Sequence, residues 1–389
     1  MMKKLADLLF LGAILLMLTA GLVTALLFPK EINAYENRYA DRIAPFTVSG
    51  YLDGSFQESM DAGLSDQVNF SSYYKRLFNL ASSHSLRLLV SPIAQSHPDR
   101  YFTFQGLRLF GGDYLTYWTR TLSSMTERLD SKSGNYNDAF ARLPNTRFYV
   151  YFVEKDTDIN FETGEKNQSY EYLKDRLALA PDRVGRFRLD SFEQFSQYFY
   201  RTDHHWNHRG SYRGYLGVLE LLGIEDAPLV PLEEVTVPGR FSGSKAAGAS
   251  KEGYSETISM YRFDFPAMDV SVNGQDADGY GNQELFWSGR GWTPSYSAIY
   301  GGDMGEIVFS GGKPGGGNIL VLGESYDNAI LRLLAAHFDN LYSVDLRYYG
   351  VYMGEDFRLS EYLEEHNIDK VLLIGNIDYF IMDEFRLEG

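Results

Sequence analysis

The chain has 389 residues and a formal net charge of −16, with no basic stripe to track a phosphate backbone, which argues against nucleic acid as a partner. A composition that is 44% hydrophobic and 15% aromatic excludes wholesale disorder, and the absence of cysteine excludes disulfides and thiolate chemistry. The 29 tyrosines and 26 phenylalanines supply core and, at a surface, flat faces that suit sugar rings.

Lys3 and Lys4 precede an apolar run from Leu8 to Phe28, long enough to cross a bilayer's hydrocarbon core as a helix with its first residues inside. A cleavable signal has an apolar region of roughly 7 to 15 residues and a small-x-small site; this run is longer and no such site precedes Pro29. The sequence therefore predicts an uncleaved single-pass anchor over residues 1–30, an extended stalk over 31–55 and an extracytoplasmic domain over 56–389.

Residues Phe56 to Phe78 and Tyr117 to Leu143 carry helical apolar spacing, the second closed by Leu143-Pro144-Asn145. Arg147 to Val153 reads as a strand, Ser169 to Leu179 as a helix, Val184 to Leu189 as a strand, and Ser191 to Tyr198 as a helix with Asp190 as its cap. From Ile224 to Gly317 the periodicity gives way to Gly, Ser, Asp and aromatic residues with short β-like pieces such as Glu306 to Phe309, which reads as an irregular insertion and a candidate wall or lid. Alternation returns with Asn318 to Leu322 as strand, Asp327 to His337 as helix, Leu341 to Leu346 as strand, Leu359 to Glu365 as helix and Lys370 to Ile374 as strand. This α/β alternation predicts a parallel sheet with crossover helices, a three-layer α/β/α sandwich.

Two segments concentrate chemistry. Thr202-Asp203-His204-His205-Trp206-Asn207-His208 holds three of the seven histidines just before a helical stretch. It suits a base with an orienting carboxylate, a metal site built on His204, His205 and His208, or simply a polar surface loop. In Val321-Leu322-Gly323-Glu324-Ser325-Tyr326 a buried-type strand runs into Gly-x-Ser and a helix. A serine at such a turn exposes its hydroxyl beyond the sheet's carboxyl end, although it can equally be a helix N-cap. Together the segments offer a base, its orienter and a hydroxyl to activate.

These residues resemble the DHHW proteins, named for Asp203-His204-His205-Trp206 and related to alginate O-acetyltransferases of the AlgJ and AlgX type. Further similar stretches are Glu36-Asn37-Arg38, Phe56 to Phe70, Arg240-Phe241-Ser242-Gly243-Ser244, Tyr300-Gly301-Gly302-Asp303, and Val344-Asp345-Leu346-Arg347-Tyr348-Tyr349. The resemblance implies an SGNH-hydrolase-like fold with permuted motif order, Ser325 as nucleophile, His205 as general base and Asp203 as its orienter, with His204 a rival base. Gly323-Glu324-Ser325 departs from the family's usual Gly-Asp-Ser or Gly-Thr-Ser, and Asn207-His208 replaces the commoner threonine after the tryptophan.

Geometry makes the Ser325 and Tyr326 amides candidate oxyanion donors, with Asn376 added for its place at a strand end. Trp206 is either a sugar platform or a packing wedge, and Arg347 either binds an acidic sugar or forms an internal salt bridge. The implied activity is serine-dependent O-acetyl transfer to a cell-surface or secreted polysaccharide. The implied acyl donor is a multi-pass membrane acyltransferase, with no cofactor and no metal. An esterase acting through the same residues, and a non-catalytic glycan-binding or scaffold protein, are the alternatives. If the anchor assignment holds, the full-length chain will fractionate with membranes and resist alkaline carbonate extraction, and a chain starting at Glu31 will be released as soluble protein.

Overall fold

The computed structural model describes residues 38–67, 101–104, 107–110, 121–161, 163–248, 255–277, 280 and 294–387, with isolated positions at 12, 19, 23 and 32–33. The expected anchor lies outside the described residues apart from three isolated positions, and among the described residues no helix is long and apolar enough to cross a membrane. The chain divides into two compact units, Met1–Leu89 with Ala246–Glu252, and Val90–Lys245 with Gly253–Gly389.

In the first unit, Ile32–Asn33 pairs antiparallel with Arg38–Tyr39, followed by helices Val48–Asp53 and Ser55–Gln67. The segment 31–55 is therefore not wholly extended. Thr47 starts its helix by accepting the Gly50 amide at 3.0 Å, and Gly54 ends it at φ 92°, a conformation in which a side chain is strained. The helical spacing of Phe56 to Phe78 is realised as far as Gln67, and the rest lies outside the described residues.

The second unit is built on an eight-stranded sheet. Helix α1 (Thr126–Arg142) leads into β1 (Arg147–Val153), α2 (Ser169–Lys174), β2 (Val184–Phe187), α3 (Phe192–Tyr198) and α4 (His208–Leu222). A separate antiparallel pair follows, β3 (Glu233–Thr236) with β4 (Ser259–Arg262), then β5 (Asp269–Val272) and β6 (Gln275–Asp276). After α5 (Tyr296–Tyr300) come β7 (Glu306–Ser310), β8 (Asn318–Leu322), α6 (Asn328–Ala335), β9 (Asn340–Val344), α7 (Tyr349–Met353), α8 (Leu359–Glu365) and β10 (Lys370–Gly375).

Strand order is β6-β5-β7-β9-β8-β10-β1-β2, and the five strands from β9 to β2 are parallel. The expectation of a parallel sheet needs correcting at one edge, where β7 runs antiparallel to β9 and β5 antiparallel to β7. These strands come from the stretch read as an irregular insertion. Antiparallel edge strands need no crossover helix, and runs of two to five residues leave little periodicity in a sequence rich in Gly and Ser.

Strand β1 (RFYVYFV) is buried at every position but its first, because both faces of the sheet are covered. Phe148, Val150 and Phe152 join a core with Leu129, Tyr136 and Phe140 of α1 and with Leu359, Tyr362 and Leu363 of α8. The other face meets α4, where a Cβ added at Gly217 would fall 2.3 Å from the Tyr151 hydroxyl. The α/β/α layering expected from the alternation is thus present. Phe152 stacks on Phe380 with centroids 5.4 Å apart, so Phe152→Ala is expected to cost about 3–5 kcal/mol in a urea unfolding titration.

Candidate active site

Strand β8 is buried from Ile319 to Leu322 and delivers the chain to the carboxyl edge of the parallel strands. Gly323 follows because the backbone passes too close to Asp327 for a side chain: an added Cβ would lie 2.1 Å from Asp327 Oδ2. Helix α6 begins only at Asn328, with Asp327 as the preceding residue, so Ser325 is not its N-cap. The serine hydroxyl instead faces His205.

The histidine loop is held from both sides. Phe199 bridges to Trp206, Tyr200 N donates to the His205 carbonyl at 3.2 Å, and Asn207 N donates to the Tyr198 carbonyl at 2.8 Å. Asn207 then caps α4, its side chain accepting from the Arg209 and Gly210 amides. Trp206 is fully buried, lying against α4 where a Cβ at Gly214 would be 2.5 Å from its ring, and edge-on to Tyr326 at 5.6 Å. It is the packing wedge of the two readings, and no face is open to a sugar.

Within this frame His205 Nε2 lies 2.7 Å from Ser325 Oγ, and His205 Nδ1 lies 2.5 Å from Asp203 Oδ1. Asp203 Oδ1 also accepts the His205 amide at 3.0 Å, and Oδ2 accepts the Ser244 amide at 2.9 Å. Burial works against the Asp203 charge, but His205, His204 and the Ser244 amide outweigh it and hold the carboxyl well below the usual carboxylate range. The His205 ring stacks on Tyr296 with centroids 3.8 Å apart and planes at 4°, which fixes its tilt.

The rival base is placed differently. His204 Nδ1 pairs with Ser244 Oγ at 2.7 Å, and its imidazole pKa is pushed down by burial and by the neighbouring His205, leaving it neutral. His208 stands apart at the start of α4, with Nε2 3.2 Å from Glu234. The three histidines therefore do not converge. Among the described residues, Asp203, His204 and His205 bring ligand-type atoms within 4.8 Å of one another, but both Nδ1 atoms and both Asp203 oxygens already carry the hydrogen bonds described, an arrangement suited to moving a proton.

The remaining candidates resolve as supports. The Tyr326 hydroxyl donates to the His204 carbonyl. Arg347 bonds Asp345 at 2.6 Å and Asp303 at 3.0 Å, the internal salt bridge rather than an open carboxylate clamp. Asn376 Nδ2 donates to Glu324 Oε1 at 2.6 Å and its Oδ1 accepts the Asp378 amide at 2.7 Å, so its amide is engaged rather than aimed as an oxyanion donor. Ser244, Tyr296 and Glu324 touch the triad without having been singled out for a role. Ser244 had a signal in the Arg240 to Ser244 stretch and Glu324 in its departure from the usual motif, whereas Tyr296 had none.

Fold and site together define a Ser–His–Asp triad assembled at the carboxyl edge of an α/β sheet. The sequence profile of the DHHW protein family matches residues 158–344, so over that stretch the chain is similar to this family. Among solved structures it is similar to a DHHW family protein from Eubacterium siraeum (16% identity, TM-score 0.55, covering 74% of this chain and 98% of that one). Bacillus cereus PatB1 is similar to the same degree (19% identity, TM-score 0.54, 74% and 99%). The O-acetyltransferase domain of Pseudomonas putida AlgJ matches too loosely to carry an argument (11% identity, TM-score 0.40, 72% and 93%). No curated protein matches the sequence.

Because the Asp203 carboxyl is depressed in the folded protein, its contribution to stability is present above the unfolded pKa of about 3.9 and lost as pH falls below it. Asp203→Asn should therefore lower the thermal midpoint at neutral pH, with the gap to the parent protein closing only below about pH 4 in a pH-resolved melting series.

Proposed function

We propose that this protein transfers an acetyl group to a hydroxyl of a cell-surface or secreted polysaccharide, outside the cytoplasm, through an acyl-enzyme on Ser325. The observation that carries the reading is the 2.7 Å contact between His205 Nε2 and Ser325 Oγ, with Asp203 on the opposite ring nitrogen. The DHHW resemblance supports the acyl class.

In the first half-reaction Ser325 Oγ attacks the acetyl carbonyl while its proton passes to His205 Nε2. As the intermediate collapses, the donor's C–O bond breaks, its oxygen leaves with that proton, and acetyl-Ser325 remains. In the second half-reaction a sugar hydroxyl gives its proton to His205 and attacks the acetyl carbon. The Ser325 ester bond then breaks and the serine recovers its proton. Asp203 fixes the imidazole with Nδ1 protonated and stabilises the imidazolium formed in each half. Water in place of the sugar would make the same triad an esterase.

The donor is a multi-pass membrane acyltransferase in the same membrane, reached through the N-terminal anchor; acetyl-CoA is a cytoplasmic metabolite, and the sequence has no nucleotide-binding loop. To test the reaction, acetate and nitrophenol release from nitrophenyl acetate would be followed with the full-length protein. Ser325→Ala and His205→Ala are each expected to lower kcat by about a thousandfold, with folding checked by circular dichroism. Equal rates in all three would remove the acyl-enzyme.

A further inference from the structure

Ser325 has one hydroxyl proton and, among the described residues, two acceptors within reach, His205 Nε2 at 2.7 Å and Glu324 Oε2 at 3.2 Å. An ionised Glu324 would compete with the base for that proton. The remaining bonds of Glu324 show how the conflict is settled. Its Oε1 accepts from both donors of Asn376, the side-chain Nδ2 at 2.6 Å and the backbone amide at 3.4 Å, whereas Oε2 faces the serine alone among the described residues. The Asn376 donors thus make Oε1 the acceptor oxygen and leave Oε2 as the atom that carries a proton when the group is neutral.

From that geometry we propose that Glu324 acts as a neutral carboxylic acid that donates its Oε2 hydrogen to Ser325 Oγ, turning the serine's own proton toward His205. This rests on the acyl-transfer reading and adds to it a fourth group in contact with a reacting atom. When Oγ forms its bond to the acyl carbon and its proton moves to His205 Nε2, the Glu324 hydrogen bond stabilises the charge passing through Oγ, and no proton leaves Glu324.

The surroundings favour the neutral form. Glu324 is buried, and burial pushes its carboxyl up from the usual range. Arg347 beyond β9, Lys155 beyond β1 and His205 oppose that rise, while Asp378 beyond β10 adds to it; Tyr326 and Asp327 follow on its own segment. Lys155 is bonded to Asp378 at 2.6 Å, and Arg347 to Asp345 and Asp303, so those cations are already shared with other carboxylates.

The sign follows directly. Activity requires Glu324 protonated, and burial raises its carboxyl, so activity falls as pH rises through its folded pKa. Glu324→Gln reproduces the proposed state at every pH, since its amide nitrogen donates to Oγ and its oxygen accepts from Asn376. Full-length parent, Glu324→Gln and Glu324→Ala would be compared from pH 5 to 9 by nitrophenyl acetate turnover and by the rate of Ser325 labelling with a sulfonyl fluoride.

The expected result is that Glu324→Gln keeps the parent's maximum within about threefold and loses the falling limb, while Glu324→Ala drops by about tenfold at all pH values. A Glu324→Gln as slow as Glu324→Ala, or one that retains the parent's falling limb, would overturn the proposal. Failure of the acyl-enzyme reading would look different: the parent itself would then match Ser325→Ala in both assays.

Discussion

The site depends on one carboxylate satisfying three N–H groups at once. Asp203 Oδ1 takes both the backbone amide and the ring of His205, and Oδ2 takes the Ser244 amide. The first two bonds are local and set the ring's direction; the third ties the loop to a segment 41 residues further along the chain. A buried carboxylate without such partners would pay a desolvation cost larger than any single hydrogen bond returns, so loop, ring and Ser244 segment stand or fall together. The Tyr296 ring closes the remaining freedom by lying flat against the imidazole.

The same logic of shared partners runs along the carboxyl edge of the sheet. Gly323-Glu324-Ser325 follows β8, Lys155 and Asp156 follow β1, Asp345 and Arg347 follow β9, and Asn376 and Asp378 follow β10. Lys155 pairs with Asp378, Lys245 with Asp156 at 2.9 Å, and Arg347 with Asp345 and Asp303. Buried pairs of this kind add little net stability, but removal of one partner leaves a charge stranded, so they favour a single arrangement of strand ends. β8 lies where the order reverses, with β9 on one side and β10 on the other, and a parallel sheet leaves its crevice at such a point.

Much of this was legible in the residues because the signals were local. RFYVYFV and NILVL are buried-type strands by composition alone, and the Asp203 to His205 spacing places a carboxylate within reach of the ring two residues on. What was not legible depended on residues far apart. Nothing in Asp269–Val272 or Glu306–Ser310 announces that they extend the main sheet, because short edge strands borrow their order from neighbours already in place. The partners of Asn376 and Arg347 were equally hidden: strand-end position was readable from periodicity, but the carboxylate that would occupy each donor was not.

The seat of Trp206 carries a lesson for transplantation. The indole fits only because α4 presents glycine at 210 and 214, where a Cβ would lie 2.9 Å from the Trp206 Cβ and 2.5 Å from its ring, respectively. Motif and helix are two halves of one mould, separated in sequence by a single capping residue. A chimera that grafts the four-letter signature onto a scaffold helix with ordinary side chains at those two places would carry the reacting groups and still lose their alignment, whereas moving the loop together with the glycine-bearing helix preserves it.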